Sequence, residues 1–273
     1  MSNDKPNNGK PNWAIVDVSN WAYKLLSTQG TVDRSVRLFF RWITYLHGDT
    51  RAERIVLAFD CGSFRDRIYP LYKSGRGRKP DGWHELLDAI DNTATSEGLD
   101  VLRVENFEAD DIAATVTRIA RERGRRAIIC TADKDARQLL HDGEVVIARS
   151  VGLSKGIEWY NAARLKLDHG LTPGQWIDYQ TLIGDKVDNL PGCDGIGPET
   201  AKALLQSAGS LDNHYRQPFS APINDRARAK LSAFHRSGLR DLMRRLVTLH
   251  DAAPLPADWL RETTPTADPE LAR

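Results

Sequence analysis

The chain has 273 residues, 41% hydrophobic and 27% charged, which suits one large soluble domain, or a domain with an appendage, and a full core. Cys61, Cys130 and Cys193 are odd in number and lack paired spacing, which sets aside a disulfide or zinc framework and points to a reducing compartment. No apolar run reaches membrane length and the opening MSNDKPNNGKPN has no signal-peptide core, so a cytoplasmic protein with no membrane partner is expected. A formal net charge of +1 argues by itself against a nucleic-acid partner, but the charge is segregated. Phe64 to Lys79 holds six basic residues (Arg65, Arg67, Lys73, Arg76, Arg78, Lys79) against Asp66, and Arg216 to Arg245 holds eight against Asp225 and Asp241. Such runs are often only solvated faces; clustered acids elsewhere would mask them in the total.

Residues 1–12 read as a disordered tail. WAIV (13–16) is a buried strand ending at Asp17, with a helix start through Ser19 and Asn20. Val36, Phe39, Phe40, Ile43 and Leu46 recur at helical spacing, IVLAF (55–59) is a second strand ending at Asp60, and 85–95 reads as helix. A third strand is expected at 101–104, an amphipathic helix over 109–121 behind Glu108, Asp110 and Asp111, and a fourth strand at AIIC (127–130), with a candidate fifth at 145–148. Between them, Cys61 to Trp83 is long, basic and interleaved with Phe64, Tyr69, Tyr72 and Trp83, a composition that suits single-stranded nucleic acid. The C-terminal third reads as helical, with one long basic helix or a helix pair over 227–249 and an extended or disordered proline-bearing tail after Asp251. Alternating strands and helices predict an α/β fold, a mostly parallel central sheet with helices on both faces.

In such sheets ligands bind beyond the carboxyl ends of the strands, where Asp17 and Asp60 sit directly and Asp133 two residues on. Any one of Glu108, Asp110 and Asp111 could merely cap a helix, but three acids in four residues plus the strand-end set exceed capping. Packed together they would repel by on the order of several kcal/mol unless cations neutralise them, so divalent metal is the economical reading. LIGDKVDNLPGCDGIGPETAKALL (182–205) adds Asp185 and Asp188 three apart, with a cap or solvated face as the alternative. It continues through Gly192, Gly195, Gly197 and Pro198 into a helix whose exposed amides suit a phosphate. Seven scattered histidines and no Ser/His/Asp or Cys/His arrangement leave covalent catalysis unsupported.

VDVSNWAYK (16–24), FDCGSFRDRIYPLYKSGR (59–76), VENFEADDIAATV (104–116), CTADKDARQLL (130–140) and GDKVDNLPGCDGIGPETAKALL (184–205) together resemble the 5′ nuclease family, which includes the N-terminal nuclease domain of bacterial DNA polymerase I and stand-alone flap endonucleases. The resemblance implies a PIN/5′-nuclease-like core over 13–170 with a helical arch at about 61–83, a helical DNA-binding region over 171–250 with a helix-hairpin-helix-like motif, and a tail over 251–273. It implies metal ligands at Asp17, Asp60, Glu108, Asp110, Asp111, Asp133, Asp135, Asp185 and Asp188, holding two Mg²⁺ or Mn²⁺. One site would lean on Asp17, Asp60 and Asp110 and the other on Asp133, Asp135 and Asp185. It further implies catalytic cations at Lys73, Arg76 and Lys24, DNA contacts at Tyr72, Arg65, Arg78, Gly192, Gly195, Gly197 and Lys202, and a K⁺ site at the glycine hairpin. Val18 departs from the small residue usual after the first aspartate. The expected activity is structure-selective 5′-3′ exonuclease and flap endonuclease cleavage, by a monomer, of DNA with a 5′ flap, nick or 5′ end, RNA primers included. A non-catalytic branched-DNA-binding protein and a PIN-like ribonuclease are the alternatives.

Overall fold

Aliphatic runs with few polar interruptions form the centre of the structure, a computed structural model that describes residues 12–150, 156–218 and 221–261. NWAIVD is strand β1 (Asn12–Asp17), RIVLAF β2 (Arg54–Phe59), DVLR β3 (Asp100–Arg103), RAIIC β4 (Arg126–Cys130), VVIARS β5 (Val145–Ser150) and IEWY β6 (Ile157–Tyr160). They hydrogen-bond in the order β3-β2-β1-β4-β5-β6. All neighbours are parallel except β6, which runs antiparallel to β5. That edge strand is absent from the sequence reading because four residues with one exposed and two half-buried positions carry no alternation or long apolar run.

The helices are α1 (Val18–Gln29), α2 (Val32–Thr50), α3 (Arg65–Ile68), α4 (Trp83–Ser96), α5 (Ala109–Glu122), α6 (Ala162–His169), α7 (Pro173–Ile183), α8 (Pro198–Ala208), α9 (Leu211–Arg216), α10 (Asp225–Arg236) and α11 (Leu239–Val247). Successive strand side chains point to opposite faces, so Val16, Leu57, Phe59 and Ile128 meet Trp21 of α1, Phe39, Trp42 and Ile43 of α2, and Leu86 and Ile90 of α4. The other face is covered by α5, whose Ile112 to Val116 are buried without a break. Both faces are covered, and the parallel strands accordingly read as apolar runs rather than alternations.

The chain divides into two compact units: Met1–Ser63, Arg78–Asn161 and His250–Arg273 in the first, Phe64–Gly77 and Ala162–Leu249 in the second. The first contains the sheet with α1, α2, α4 and α5, and the second contains α3 and α6 to α11. In the second, Asp178 of α7 is buried and accepts the Leu211 N–H at 2.9 Å while pairing with Arg244, which ties α7 to α9 and α11. Helices α10 and α11 are a pair separated at Ser237 and Gly238, the glycine taking φ 75°. Only α3 is helical in the stretch expected to form an arch; turns follow through Gly75, where Pro70 and Gly75 oppose helix.

After α11 the chain rejoins the first unit. His250 N–H donates to Asp111 Oδ1 at 2.8 Å, Ala253 N–H to Thr115 Oγ1 at 3.0 Å, and Arg118 Nε to the Asp251 carbonyl at 2.8 Å. Trp259 sets its edge against Trp13, ring centroids 5.9 Å apart, with the Arg54 guanidinium 4.4 Å from its own ring. Apart from Asn12 and residues 251–261, the two terminal tails lie outside the described residues.

Candidate active site

Asp17 closes β1 and caps α1. Its Oδ1 accepts the Asn20 N–H at 3.0 Å and its Oδ2 accepts the Thr131 hydroxyl at 3.0 Å, joining the end of β1 to the residue after β4. Asp60 follows β2, and its Oδ1 accepts the Ala109 N–H at 2.8 Å, so the second strand end holds the start of α5. There Glu108 and Asp111 form a reciprocal capping box, with Asp110 between them. Asp133 follows β4; its N–H donates to Thr131 Oγ1 at 3.1 Å and its Oδ1 accepts the Asp135 N–H at 2.9 Å, opening a 3-10 turn over Asp135–Leu139. Asn20 completes the floor by accepting the Ala132 N–H at 3.0 Å. The order of strands reverses at β1, so these acids stand at the switch point of the sheet.

The electrostatics fit a cation. Burial is the main cause that raises Asp17, to a pKa of about 7; the negative charges of Asp60 and Asp133 raise it further, against the hydrogen bonds from Asn20 and Thr131. One carboxylate oxygen each from Glu108, Asp110 and Asp111 lies within 4.8 Å of the others. An all-oxygen set under mutual repulsion suits a divalent cation. Lys24, on α1, gives its ammonium to the Ser150 carbonyl at 2.9 Å, and Arg78 pairs with Asp81 on the surface.

In the second unit, Asp185 and Leu190 exchange backbone hydrogen bonds of 2.8 and 2.7 Å, and Asp185 Oδ1 accepts the Val187 N–H at 2.8 Å. Asp188, almost fully buried, accepts Arg76 Nε at 3.0 Å and Nη2 at 2.5 Å on Oδ1. Lys73 has φ 55°, donates its N–H to the Asp188 carbonyl at 2.9 Å, and has its ammonium 4.8 Å from the Tyr72 ring centroid. Gly184 and Gly192 bring two backbones together: a Cβ on Gly192 would lie 2.5 Å from Gly184 N and 2.6 Å from the Leu182 carbonyl oxygen. Gly195 takes φ 77°, Gly197 caps α8, and Lys202 of α8 pairs with Glu199.

Residues 14–170 match the family described as "5'-3' exonuclease, N-terminal resolvase-like domain", and residues 171–270 that described as "5'-3' exonuclease, C-terminal SAM fold". The chain belongs to the 5′-3′ exonuclease family. It is 35% identical over 218 residues to a thermostable DNA polymerase I of Thermus thermophilus, covering 78% of this chain and 25% of that protein. With DNA polymerase I of Deinococcus radiodurans it shares 31% over 242 residues, 85% of this chain and again 25% of the other, so it spans about a quarter of the curated relatives it matches. Among solved structures, T5 5′-exonuclease with bound zinc superposes with a TM-score of 0.73 at 20% identity, covering 88% of this chain and 90% of the other. The catalytic core of Rad2 with DNA substrate gives 0.57 at 23% identity, covering 90% and 82%. At those identities the likeness is one of fold.

In this member of the 5′-3′ exonuclease family Asp60 and Asp133 stand close enough to Asp17 to raise its pKa, and Glu108, Asp110 and Asp111 lie close to one another, all in the first unit. Asp185 and Asp188 are held in the second. Three residues read as DNA contacts have local settings that the sequence does not announce. Arg65 is buried, donating to the carbonyls of Leu246 at 2.8 Å and Thr248 at 2.9 Å at the end of α11, where a cation satisfies the orphan acceptors of a helix terminus. Tyr72 is buried too, so its ring supports Lys73 instead of offering a stacking surface. Gly197, at φ −92°, takes backbone open to any residue, so the turn requires glycine at Gly192 and Gly195 but not there. Thr131, Asn20, Asn189 and His250 are missing from the sequence-based set. Thr131, Asn20 and Asn189 stand within three residues of the acids read as metal ligands, the one signal available for them; His250 has no such neighbour, since its partner Asp111 is 139 positions away.

Proposed function

We propose that this chain hydrolyses DNA phosphodiesters from the 5′ side, as a 5′-3′ exonuclease and flap endonuclease that leaves 5′-phosphate products. What carries the reading is Asp17: a buried carboxylate pressed by Asp60 and Asp133 at the switch point of the sheet, an arrangement that calls for a cation. Mg²⁺ or Mn²⁺, two ions in the family pattern, would rest on Asp17, Asp60, Asp110 and Asp133, with Glu108 and Asp135 beside them. When bound, such ions supply positive charge that favours attack of water on phosphorus and stabilises the leaving oxygen. Asp60 and the capping box fix the start of α5, so that the acids are set before substrate arrives. Bound metal in T5 5′-exonuclease and DNA substrate on the Rad2 core support the same reading.

The second unit contributes the backbone-gripping parts: the glycine turn leading into α8, which also suits K⁺, and the Lys73 loop, whose ammonium acts on the phosphate. Substrates would be DNA with a 5′ flap, nick or 5′ end, RNA primers included, and the protein would act as a cytoplasmic monomer. Among the described residues no helix is long and apolar enough to cross a membrane. The test is a 5′-labelled flap offered as DNA and as RNA with Mg²⁺ or EDTA. Magnesium-dependent cutting of DNA near the junction is expected. Binding without cutting would leave a branched-DNA-binding protein, and preference for RNA a ribonuclease.

A further inference from the structure

The turn Asp185 to Leu190 is joined to the Lys73 loop by a residue with no assigned role. Asn189 takes φ 58°, a left-handed conformation that asparagine tolerates better than most residues. Its Nδ2 donates to the Leu71 carbonyl at 2.9 Å and to Ser74 Oγ at 3.1 Å. The Ser74 hydroxyl hydrogen goes to the Leu71 carbonyl at 2.8 Å, which leaves its lone pairs to accept from Asn189. One side-chain amide thus clasps the loop on both sides of Lys73.

The clasp matters because the loop is not relaxed. Lys73 also sits at positive φ, a conformation that is strained for a lysine and persists only where the surroundings impose it. The surroundings are the Lys73 N–H on the Asp188 carbonyl, Arg76 on the Asp188 carboxylate, and the two bonds of Asn189. All lie inside the second unit.

We infer that Asn189 is a positioning residue that holds the Lys73 loop against the Asp185–Asp188 turn, so that the ammonium is fixed in place for contact with the phosphate. The inference rests on the proposed nuclease function and deepens it. Asn189→Gly keeps the backbone conformation and removes the amide; Asn189→Asp keeps the side-chain length but puts oxygen where the Leu71 carbonyl needs a donor. On a 5′-flap DNA with Mg²⁺, each is expected to lower kcat roughly 10- to 100-fold while KM stays within about twofold and thermal unfolding is unchanged. Combined with Lys73→Ala, Asn189→Gly should add little to the loss from Lys73→Ala alone, because one acts through the other. Trypsin should cut after Lys73 faster in Asn189→Gly than in wild type. Wild-type kcat in both variants, additive losses in the double variant, or an unchanged trypsin rate would each overturn the inference. A wild-type protein that cuts no flap strikes the nuclease reading instead, and the trypsin arm still decides whether Asn189 holds the loop.

Discussion

At Asp17 the burial and the charges of Asp60 and Asp133 favour the protonated carboxyl up to about pH 7, whereas an unfolded aspartate loses its proton near pH 4. A folded-state pKa above the unfolded one means that the metal-free native protein binds more protons than the unfolded chain across that window, so its stability falls as pH rises through it. A divalent ion needs the anion, so its affinity climbs over the same window. The rise in Tm on adding Mg²⁺ should therefore be small near about pH 5 and large near about pH 8. Asp17→Asn should flatten the pH slope of the metal-free protein and abolish turnover while sparing duplex binding; a slope that survives would remove the charge from Asp17. Lys73→Ala should slow flap cutting by orders of magnitude at unchanged Tm. Arg65→Ala should behave in the opposite way, lowering stability by on the order of 3 kcal/mol through the carbonyls it strands, with DNA affinity of the folded variant preserved. The acids were legible because their chemistry and their place after apolar runs coincide. Arg65 was not, since a basic residue in a basic stretch reads the same whether it faces water or two buried carbonyls.

Among the elements, β1, β2 and β4 declared themselves as apolar runs because α1, α2 and α4 cover one face and α5 the other. β6 escaped notice at the edge, where pairing needs little apolar side chain. Glycines were only partly readable. Gly192 and Gly195 need their positive φ, but the requirement at Gly184 comes from a backbone eight positions away, and GxG spacing says nothing about it. Gly192→Ala places a methyl 2.5 Å from Gly184 N in a backbone already unfavourable to it. The expected cost is on the order of 3 kcal/mol, read as a lower unfolding midpoint in urea, with Gly197→Ala as a control that should lose far less.

For the whole molecule, the sequence order of the five family segments made the fold class legible, but not which parts close on which. Phe64–Gly77 belongs with the C-terminal helices and His250–Arg273 with the N-terminal sheet, pairings set by contacts between residues more than a hundred positions apart. Ending the chain after Leu249 removes the donor to Asp111 Oδ1, the bond to Thr115 and the Trp259 cover of Trp13. Such a truncation should lower Tm markedly and weaken Mg²⁺ binding by loosening α5, which calorimetry and metal titration would record.

That closing stretch also imposes an order on biosynthesis. Every helix of the second unit must leave the ribosome before residues 250–260 can reach α5, so the first unit stays unfinished until those residues emerge. A growing polypeptide therefore cannot fix the start of α5 through His250 and Ala253 until the helices between have been made.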